Sequence, residues 1–130
     1  MYEVTTIKSF SAAHMLAAIG GKCEELHGHN FKVEVTIAAK DLNSSGIIID
    51  FRYVKKWLQE ILDNLDHKHL NEIPFFTEIN PSSENIAEYI YREMKLKTDQ
   101  PEVKVARVKV WESESAAVTY IPDKTEAEEL

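Results

Sequence analysis

Alternating apolar and polar residues predict four β-strands, two in the first third of the chain and two near its end. Residues two apart on a strand point to the same face, so this alternation is typical of strands buried on one side. In the first strand the alternation breaks near Ile7, which predicts a bulge there. The predicted strands are Tyr2–Phe10, Phe31–Ala39, Val103–Glu112 and Ala116–Ile121.

Between these strand pairs, two segments have the spacing of three and four residues that is typical of amphipathic helices. Asp50 is predicted to cap the first helix, and a serine after Pro81 is predicted to cap the second. The first helix is expected to bury Phe51, Val54, Leu58, Ile61, Leu62 and Leu65, and the second to bury Ile86, Tyr89, Ile90 and Met94.

This order of elements predicts an α+β fold, a four-stranded antiparallel sheet with two helices on one face. No repeat or linker divides the sequence, so residues 1–122 are expected to form a single domain. Residues 123–130 are acidic and poor in apolar side chains, and they are expected to form a C-terminal tail. The open edges of such a sheet must be charged, covered or paired with another chain.

The composition does not change the predicted fold, but it argues against some classes of binding partner. The chain has 130 residues, of which 44% are apolar and 28% charged, as in ordinary globular proteins. Its 15 basic and 22 acidic residues give a formal charge of −7, which argues against nucleic acid or a membrane as the main partner. The single cysteine excludes an internal disulfide and favours a reducing compartment, so we expect a cytoplasmic protein.

The candidate chemistry begins with His27 and His29, which open the second predicted strand with Gly28 between them. On a strand the two imidazoles project side by side, about 7 Å apart at Cα, which suits one metal ion. Catalytic zinc takes three protein ligands, and His14 is the candidate for the third. Two exposed strand histidines would have the same spacing, but Cys23 and a later Asp-His pair favour the metal interpretation.

The residues around the histidines resemble the sequence motifs of a known family. Cys23-x-x-x-His27-Gly28-His29-Asn30, preceded by Phe10-Ser11-Ala12-Ala13-His14, resembles the 6-pyruvoyltetrahydropterin synthase family. The gap between the cysteine and His-Gly-His is most similar to the 6-carboxytetrahydropterin synthase branch of queuosine biosynthesis. The resemblance extends to about Tyr120. It implies a tunnelling fold (T-fold), Zn²⁺ on the three histidines, and a pterin triphosphate substrate.

The resemblance also implies the catalytic residues. Cys23 would move protons on the substrate side chain, assisted by Asp66 and His67 in a segment similar to the family's L-D-H-x-x-L-N. His69, in the same segment, has no counterpart role and is interpreted as a surface or supporting residue. Without the resemblance, Cys23 could be a structural cysteine and His67 the charge complement of a helix C-terminus.

Substrate-binding residues are implied in the same way. Glu112 ends the third predicted strand on the face of Val108 and Val110, and Val110-Trp111-Glu112-Ser113 is similar to the family's pterin-anchoring segment. A carboxylate can accept two adjacent N–H groups of a pterin ring edge. Pro81-Ser82-Ser83-Glu84-Asn85 resembles the family motif in which hydroxyls flank the pterin, although helix capping alone would also explain the serines.

Glu24 makes the choice of product ambiguous. It forms E-x-x-H-G-H with His27 and His29, the arrangement of relatives that lack the cysteine and make 6-hydroxymethyl-7,8-dihydropterin for folate. A thiol and a carboxylate differ by roughly four units in reference pKa, so they could deprotonate different positions of one substrate. The alternative is that Glu24 is a solvated charge on a loop.

The leading hypothesis is a zinc-dependent carbon–oxygen lyase that converts 7,8-dihydroneopterin triphosphate to 6-carboxy-5,6,7,8-tetrahydropterin. The alternative products are 6-pyruvoyltetrahydropterin and the 6-hydroxymethyl compound. A non-enzymatic alternative is a structural metal module, in which Cys23 would close the fourth zinc position. The family implies a homo-oligomer, a hexamer, with active sites between subunits and with Cys23 and the Asp66-His67 pair supplied by different chains.

Overall fold

The computed structural model describes residues 1–123, apart from the side chains of Lys22 and Cys23. Except for Asp123, the predicted acidic tail therefore lies outside the described residues. Two α-helices and five strands make up the regular structure, with short turns of 3₁₀ helix at Gly21–Glu24, Leu70–Glu72 and Pro74–Phe76. The elements are β1 Tyr2–His14, β2 His27–Ala39, α1 Phe51–Asp63, β3 Lys68–His69, α2 Ser83–Lys97, β4 Val103–Trp111 and β5 Ala117–Tyr120.

The α+β prediction is confirmed, but the sheet has five strands instead of four, in the order β3-β1-β2-β4-β5. Every pairing is antiparallel except that of β3, which lies parallel to β1 at Ala12 and Ala13. With only Lys68 and His69, β3 is too short to produce an alternating pattern, which is why the sequence does not predict it.

The predicted bulge near Ile7 is wrong. β1 and β2 pair without interruption from Tyr2 opposite Ala39 to His14 opposite His27. Ile7 does not break the phase; it is an apolar residue on the solvent side of the sheet, 54% exposed. The irregularity lies instead between β2 and β4, where the register shifts after Thr36. β1 also continues past its predicted end to His14, which places a candidate ligand on regular structure.

Both helices begin where their caps predict. The Asp50 side chain accepts a hydrogen bond from the Arg52 N–H, and the Ser82 side chain accepts one from the Asn85 N–H. Phe51 was expected in the core, but it is 54% exposed because the first position of α1 points away from the sheet. Of the helix residues expected in the core, Val54, Leu58, Ile61 and Leu62 of α1 and Ile86, Ile90 and Met94 of α2 are buried, while Tyr89 is half-buried.

The two faces of the sheet differ in what covers them. α1 packs against β1, and α2 packs against β4 and β5, so we call this side the inner face. Phe31, Val33 and Val35 of β2 project to it and are fully buried. On the opposite, outer face the side chains are mostly polar, as in the hydrogen bond of 3.0 Å between the Thr5 and Thr36 hydroxyls. The inner face is therefore the core.

Several stretches of strand edge have no strand partner among the described residues, and two of them bear on the candidate site or on assembly. β1 pairs with β3 only at Ala12 and Ala13, and Ser11 bonds to Asp66 and His67, so the same edge is open from Tyr2 to Phe10. β2 makes its last pair with β4 at Lys32 opposite Trp111, so residues 27–31 have an open side. No helix within residues 1–123 is long and apolar enough to cross a membrane. The second open stretch lies next to the candidate site.

Candidate metal centre and active site

Three histidines converge at the open end of the sheet. His14, the last residue of β1, stands opposite His27, the first residue of β2, and His29 follows two positions later on the same face. The ring centroid of His14 lies 4.6 Å from that of His27 and 5.2 Å from that of His29. The centroids of His27 and His29 are 4.8 Å apart. The antiparallel register of β1 and β2 therefore produces the cluster.

Backbone carbonyls hold two of these rings in a tautomer that suits metal binding. Nδ1 of His14 lies 2.7 Å from the Pro81 carbonyl oxygen, and Nδ1 of His27 lies 2.8 Å from that of Glu25. A carbonyl oxygen can only accept, so each Nδ1 carries the proton and each Nε2 keeps its lone pair. Such second hydrogen bonds are typical of metal-binding histidines.

The environment of His14 fits a metal ion. Its side chain is fully buried, and its Nε2 atom has no hydrogen-bond partner among the described residues. Burial lowers the pKa of His14 and outweighs the opposing effect of the Pro81 carbonyl, so the ring stays neutral. A neutral, buried ring with an unused lone pair is what a metal ligand requires.

Glu112 completes the cluster. It follows β4, and its Oε1 atom lies 3.4 Å from Nε2 of His14 and 3.5 Å from Nε2 of His29. The ligand atoms of these four residues, His27 included, all lie within 4.8 Å of one another, so they could hold a metal ion. Three imidazoles and a carboxylate form a donor set that suits zinc. The carboxylate expected at a pterin edge thus lies directly beside the histidines.

Asp66 and His67 lie between α1 and β3 and are tied to β1. Asp66 Oδ1 accepts the Ser11 N–H at 2.9 Å, and the His67 N–H donates to the Ser11 carbonyl oxygen at 2.6 Å. Asp66 Oδ2 lies 3.0 Å from His67 Nδ1. The Ser11 N–H, and then His67, lower the pKa of Asp66. His67 has a φ of 58° and an exposed ring, so the backbone presents its imidazole to solvent.

A groove at this end of the sheet is lined by residues of both groups, His67 of the pair and His29 of the histidine cluster. Its volume is about 510 Å³, and its floor is formed by Ala13 and Gly28, which lie opposite each other on β1 and β2. His29 lies at one side of the groove and His67 and His69 at the other. Because its floor consists of the smallest side chains, the groove leaves room for a ligand next to the candidate metal centre.

The loop of residues 15–26 connects His14 to His27 and contains Cys23 and Glu24. The side chain of Cys23 lies outside the described residues; its backbone lies in the turn Gly21–Glu24. Glu24 is exposed, and its Oε1 atom accepts the Ala18 N–H at 3.0 Å, where Ala18 has a φ of 64°. The Glu24 carboxylate therefore braces the loop in this conformation.

Sequence reasoning missed two asparagines that hold the start of this loop. Asn71 accepts the Met15 N–H at 3.0 Å and donates to the Met15 carbonyl at 2.9 Å. Asn80 does the same for Ala17, at 2.8 and 2.9 Å. Each side-chain amide thus bonds both backbone groups of one residue, as a neighbouring strand would. The two residues, Met15 and Ala17, lie directly after His14. The only sequence signal was the position of Asn71 in the Leu-Asn step after the Asp-His pair.

The two serines before and at the start of α2 have different environments. Ser82 Oγ accepts the Asn85 N–H at 3.1 Å and caps the helix. Ser83 is buried, and its Oγ has no hydrogen-bond partner among the described residues. Pro81, directly before them, supplies the carbonyl that holds His14. His69 has its Nδ1 atom 3.5 Å from Glu72, and its buried Nε2 atom makes no hydrogen bond in the described part of the chain.

Comparison with known proteins gives one consistent family. The family model described as 6-pyruvoyl tetrahydropterin synthase matches residues 3–123. The human 6-pyruvoyl tetrahydrobiopterin synthase is 33% identical over 91% of this chain and 90% of its own. A protein of Archaeoglobus fulgidus is 42% identical over 82% of this chain and 84% of its own, and its name gives 6-carboxy-5,6,7,8-tetrahydropterin synthase as a provisional assignment.

Solved structures give the same result. The structure of Caenorhabditis elegans 6-pyruvoyl tetrahydropterin synthase superposes with a TM-score of 0.85 and 28% sequence identity. The match covers 94% of this chain and 96% of the nematode chain. The architecture described above, a sheet with two helices on one face, is therefore the tunnelling fold of these proteins.

Proposed function

Because this chain belongs to the 6-pyruvoyl tetrahydropterin synthase family, we propose that it is a zinc-dependent carbon–oxygen lyase. Its substrate would be 7,8-dihydroneopterin triphosphate and its main product 6-carboxy-5,6,7,8-tetrahydropterin, for queuosine biosynthesis. The observation that carries the proposal is the convergence of His14, His27 and His29 with Glu112 beside an open groove. The similarity to the archaeal relative, 42% identical, supports the choice of product.

The three histidines would hold the zinc ion through their Nε2 atoms, since carbonyls occupy Nδ1 of His14 and His27. Bound zinc would act as a Lewis acid that stabilises negative charge on a side-chain oxygen of the substrate. Glu112 would accept two N–H groups of the pterin ring edge. Since its carboxylate lies 3.4 Å from His14, a pterin bound there would present its side chain to the metal centre.

Proton transfer would fall to Cys23 with the Asp66-His67 pair. Asp66 Oδ2 accepts the Nδ1–H of His67 at 3.0 Å, which leaves Nε2 of the exposed ring free for proton exchange with Cys23 or the substrate. The bond from the Ser11 N–H keeps Asp66 ionised and in place. Asp66 would therefore orient His67, while Cys23 would exchange protons with the substrate carbons.

The overall reaction balances without an added oxidant or reductant. One water is consumed, triphosphate leaves, and the neopterin side chain loses two carbons as an aldehyde. The remaining carbon at position 6 becomes a carboxylate while the dihydropterin ring becomes a tetrahydropterin. The oxidation of the side chain therefore offsets the reduction of the ring.

The test combines zinc quantification with mass spectrometry of the products. Wild type is expected to contain one zinc per chain and to form the carboxy product, whereas His29→Ala should lose both zinc and activity. His69→Ala is the matched control, because it removes an imidazole from the same groove without touching the proposed ligand set. Full activity in a zinc-free His29→Ala protein would refute the proposed mechanism.

The same measurement decides the role of Glu24. Its carboxylate already accepts the Ala18 N–H, so Glu24→Ala should lower the rate by loosening the loop without changing the product. If Cys23→Ala still formed 6-hydroxymethyl-7,8-dihydropterin and Glu24→Ala did not, the protein would have a second, folate-type activity. Loss of the carboxy product in Cys23→Ala alone would assign the main reaction to the thiol.

We also propose that the working unit is a homo-oligomer, a hexamer, with active sites between subunits. The open edge of β1 from Tyr2 to Phe10 supports this, because unpaired strand edges favour pairing with another chain. Exposed apolar side chains at that end of the molecule, Tyr2 and Ile47 among them, also favour a covered surface. Cys23 and the Asp66-His67 pair of one site would come from different chains.

A further inference from the structure

Two lysines lie against one tryptophan on the outer face of the sheet. The Nζ atoms of Lys32 and Lys109 are 4.6 and 4.4 Å from the centre of the Trp111 ring, within the range of cation–π interactions. Because both distances are to one centroid, the two ammonium groups are at most 9.0 Å apart. Neither ammonium group forms a salt bridge within the described residues. With the one carboxylate of Glu34 nearby, the two ammonium groups leave a net positive charge at this position.

Strand register and one hydrogen bond hold this arrangement. Lys32 stands opposite Trp111, and Glu34 stands opposite Lys109. Glu34 could pair with either lysine, but its carboxylate instead accepts the indole Nε1–H of Trp111. The ring is thereby fixed between the two lysines, and both Nζ atoms keep their donors for a ligand.

The pair lies next to the candidate metal centre. Trp111 directly precedes Glu112, and Lys32 follows His29 by three residues, roughly 10 Å along the strand. The histidines and Glu112 project to the inner face and the lysines to the outer face. Residues 27–31 of β2 have no β4 partner among the described residues, so the sheet is open between the two positions. An extended ligand could therefore pass around this edge and contact both.

Charge argues that such a ligand is a polyphosphate. The chain carries −7 overall, so a polyanion needs a locally positive site. All three arginines already pair with carboxylates: Arg52 with Asp50, Arg92 with Glu88 and Arg107 with Glu3. Lys32 and Lys109, by contrast, have no salt bridge among the described residues and lie within a few residues of His29 and Glu112.

Building on the proposed function, we propose that Lys32 and Lys109, positioned by Trp111, bind the polyphosphate chain of the substrate. The site would recognise adjacent phosphoryl groups, one at each ammonium group, while the pterin lies toward Glu112 on the other side of the β2 edge. Trp111 is a positioning residue in this scheme. Glu34, whose carboxylate accepts the Trp111 indole N–H, adds one negative charge to the site, limits its affinity and lets the released triphosphate leave.

The test measures binding of inorganic triphosphate to the zinc-loaded protein by calorimetry. Lys32→Ala and Lys109→Ala are each expected to weaken binding about tenfold, and Trp111→Leu a few-fold. Glu34→Gln should tighten it a few-fold, because it removes a negative charge from the site without changing its size. Lys40→Ala and Lys55→Ala change the net charge equally at exposed positions elsewhere, and they should leave binding unchanged.

The outcomes separate this proposal from the proposed function. Equal losses in the Lys40 and Lys55 controls would refute a specific site, and so would unchanged binding in folded Lys32→Ala and Lys109→Ala. In the lyase reaction, these two variants should raise KM for dihydroneopterin triphosphate and leave kcat nearly unchanged. A protein that binds triphosphate through these lysines but has no lyase activity would refute only the function. An active enzyme whose lysine variants lower kcat but keep KM would refute only the polyphosphate site.

Discussion

At the scale of single residues, His14 connects the core to the candidate site. Its ring is fully buried and donates through Nδ1 to the Pro81 carbonyl, and its Nε2 atom has no hydrogen-bond partner within the described part of the chain. An unpartnered polar atom in the interior costs about 1–3 kcal/mol, so folded proteins rarely keep one without a use. A ligand at Nε2 would offset this cost, which is the physical reason to expect that metal binding stabilises the fold.

Asp66 gives a prediction at the same scale. The Ser11 N–H and His67 lower its pKa below the ordinary aspartate value of 3.8, so the folded state binds this proton less readily than the unfolded chain. Asp66 therefore stabilises the protein fully above about pH 4 and loses this effect as the pH falls through its folded pKa. We expect Asp66→Asn to lower the free energy of unfolding at neutral pH, and its difference from wild type to shrink in acid.

The measurement is urea unfolding of wild type and Asp66→Asn from roughly pH 2 to pH 7. Asp41→Asn is the matched control, because Asp41 is an exposed carboxylate with no hydrogen bond to the described residues. A difference between wild type and Asp66→Asn that stayed constant, or grew, as the pH fell would contradict this account of Asp66.

At the scale of elements, the loop of residues 15–26 shows how irregular chain can be held in place. Asn71 and Asn80 bond both backbone groups of Met15 and Ala17, so the chain after β1 remains paired although no strand lies beside it. Both asparagines come from segments that also support the site: Asn71 follows the Asp-His pair, and Asn80 precedes Pro81.

We therefore predict that Asn71→Leu and Asn80→Leu loosen this loop. Each substitution removes two hydrogen bonds worth about 0.5–1.5 kcal/mol each, so amide exchange at residues 15–26 should accelerate about tenfold or more. The lyase rate should fall, while zinc content changes little because the histidines stay on β1 and β2. Hydrogen exchange with mass spectrometry and steady-state kinetics measure the two effects.

Asn64→Leu is the control for this prediction. Asn64 is exposed, and its side chain makes no hydrogen bond in the part of the chain that the structure describes. If exchange in the loop were as slow in Asn71→Leu and Asn80→Leu as in Asn64→Leu, the asparagines would not hold the loop.

At the scale of the whole molecule, the open strand edges bear on whether one active site is shared between two chains. The long unpaired edge of β1 and the exposed apolar residues at its start favour a partner of the same kind. If active sites lie between subunits, residues of one site come from two chains. The isolated subunit would then have the fold but not the activity.

A mixed-oligomer experiment tests shared sites. Cys23→Ala and His67→Ala proteins should each be inactive alone and regain part of the wild-type activity when refolded together. Some interfaces of the mixed oligomer then pair an intact Cys23 with an intact His67. Refolding each variant with itself is the control. If mass spectrometry confirmed subunit exchange and activity did not return, each site would lie within one chain.

The sequence by itself determined the parts of this protein that depend on local periodicity. The alternation of β2 and the apolar stripe of α2 predict buried faces, and Asp50 and Ser82 cap their helices as expected. The family motif around His27 and His29 identified the family that the comparisons show. These features are visible in sequence because each depends on residues a few positions apart.

Only the tertiary structure decided what depends on residues far apart in the chain. β3 forms because Lys68 and His69 pair with β1. Ile7 is exposed because β1 keeps its register with β2 where the sequence pattern predicts a bulge. The contacts of Asn71 and Asn80 join segments more than fifty residues apart, and Glu112 reaches His14 only through the sheet. Side-chain pairing across such separations leaves no periodic signal, so packing alone determines it.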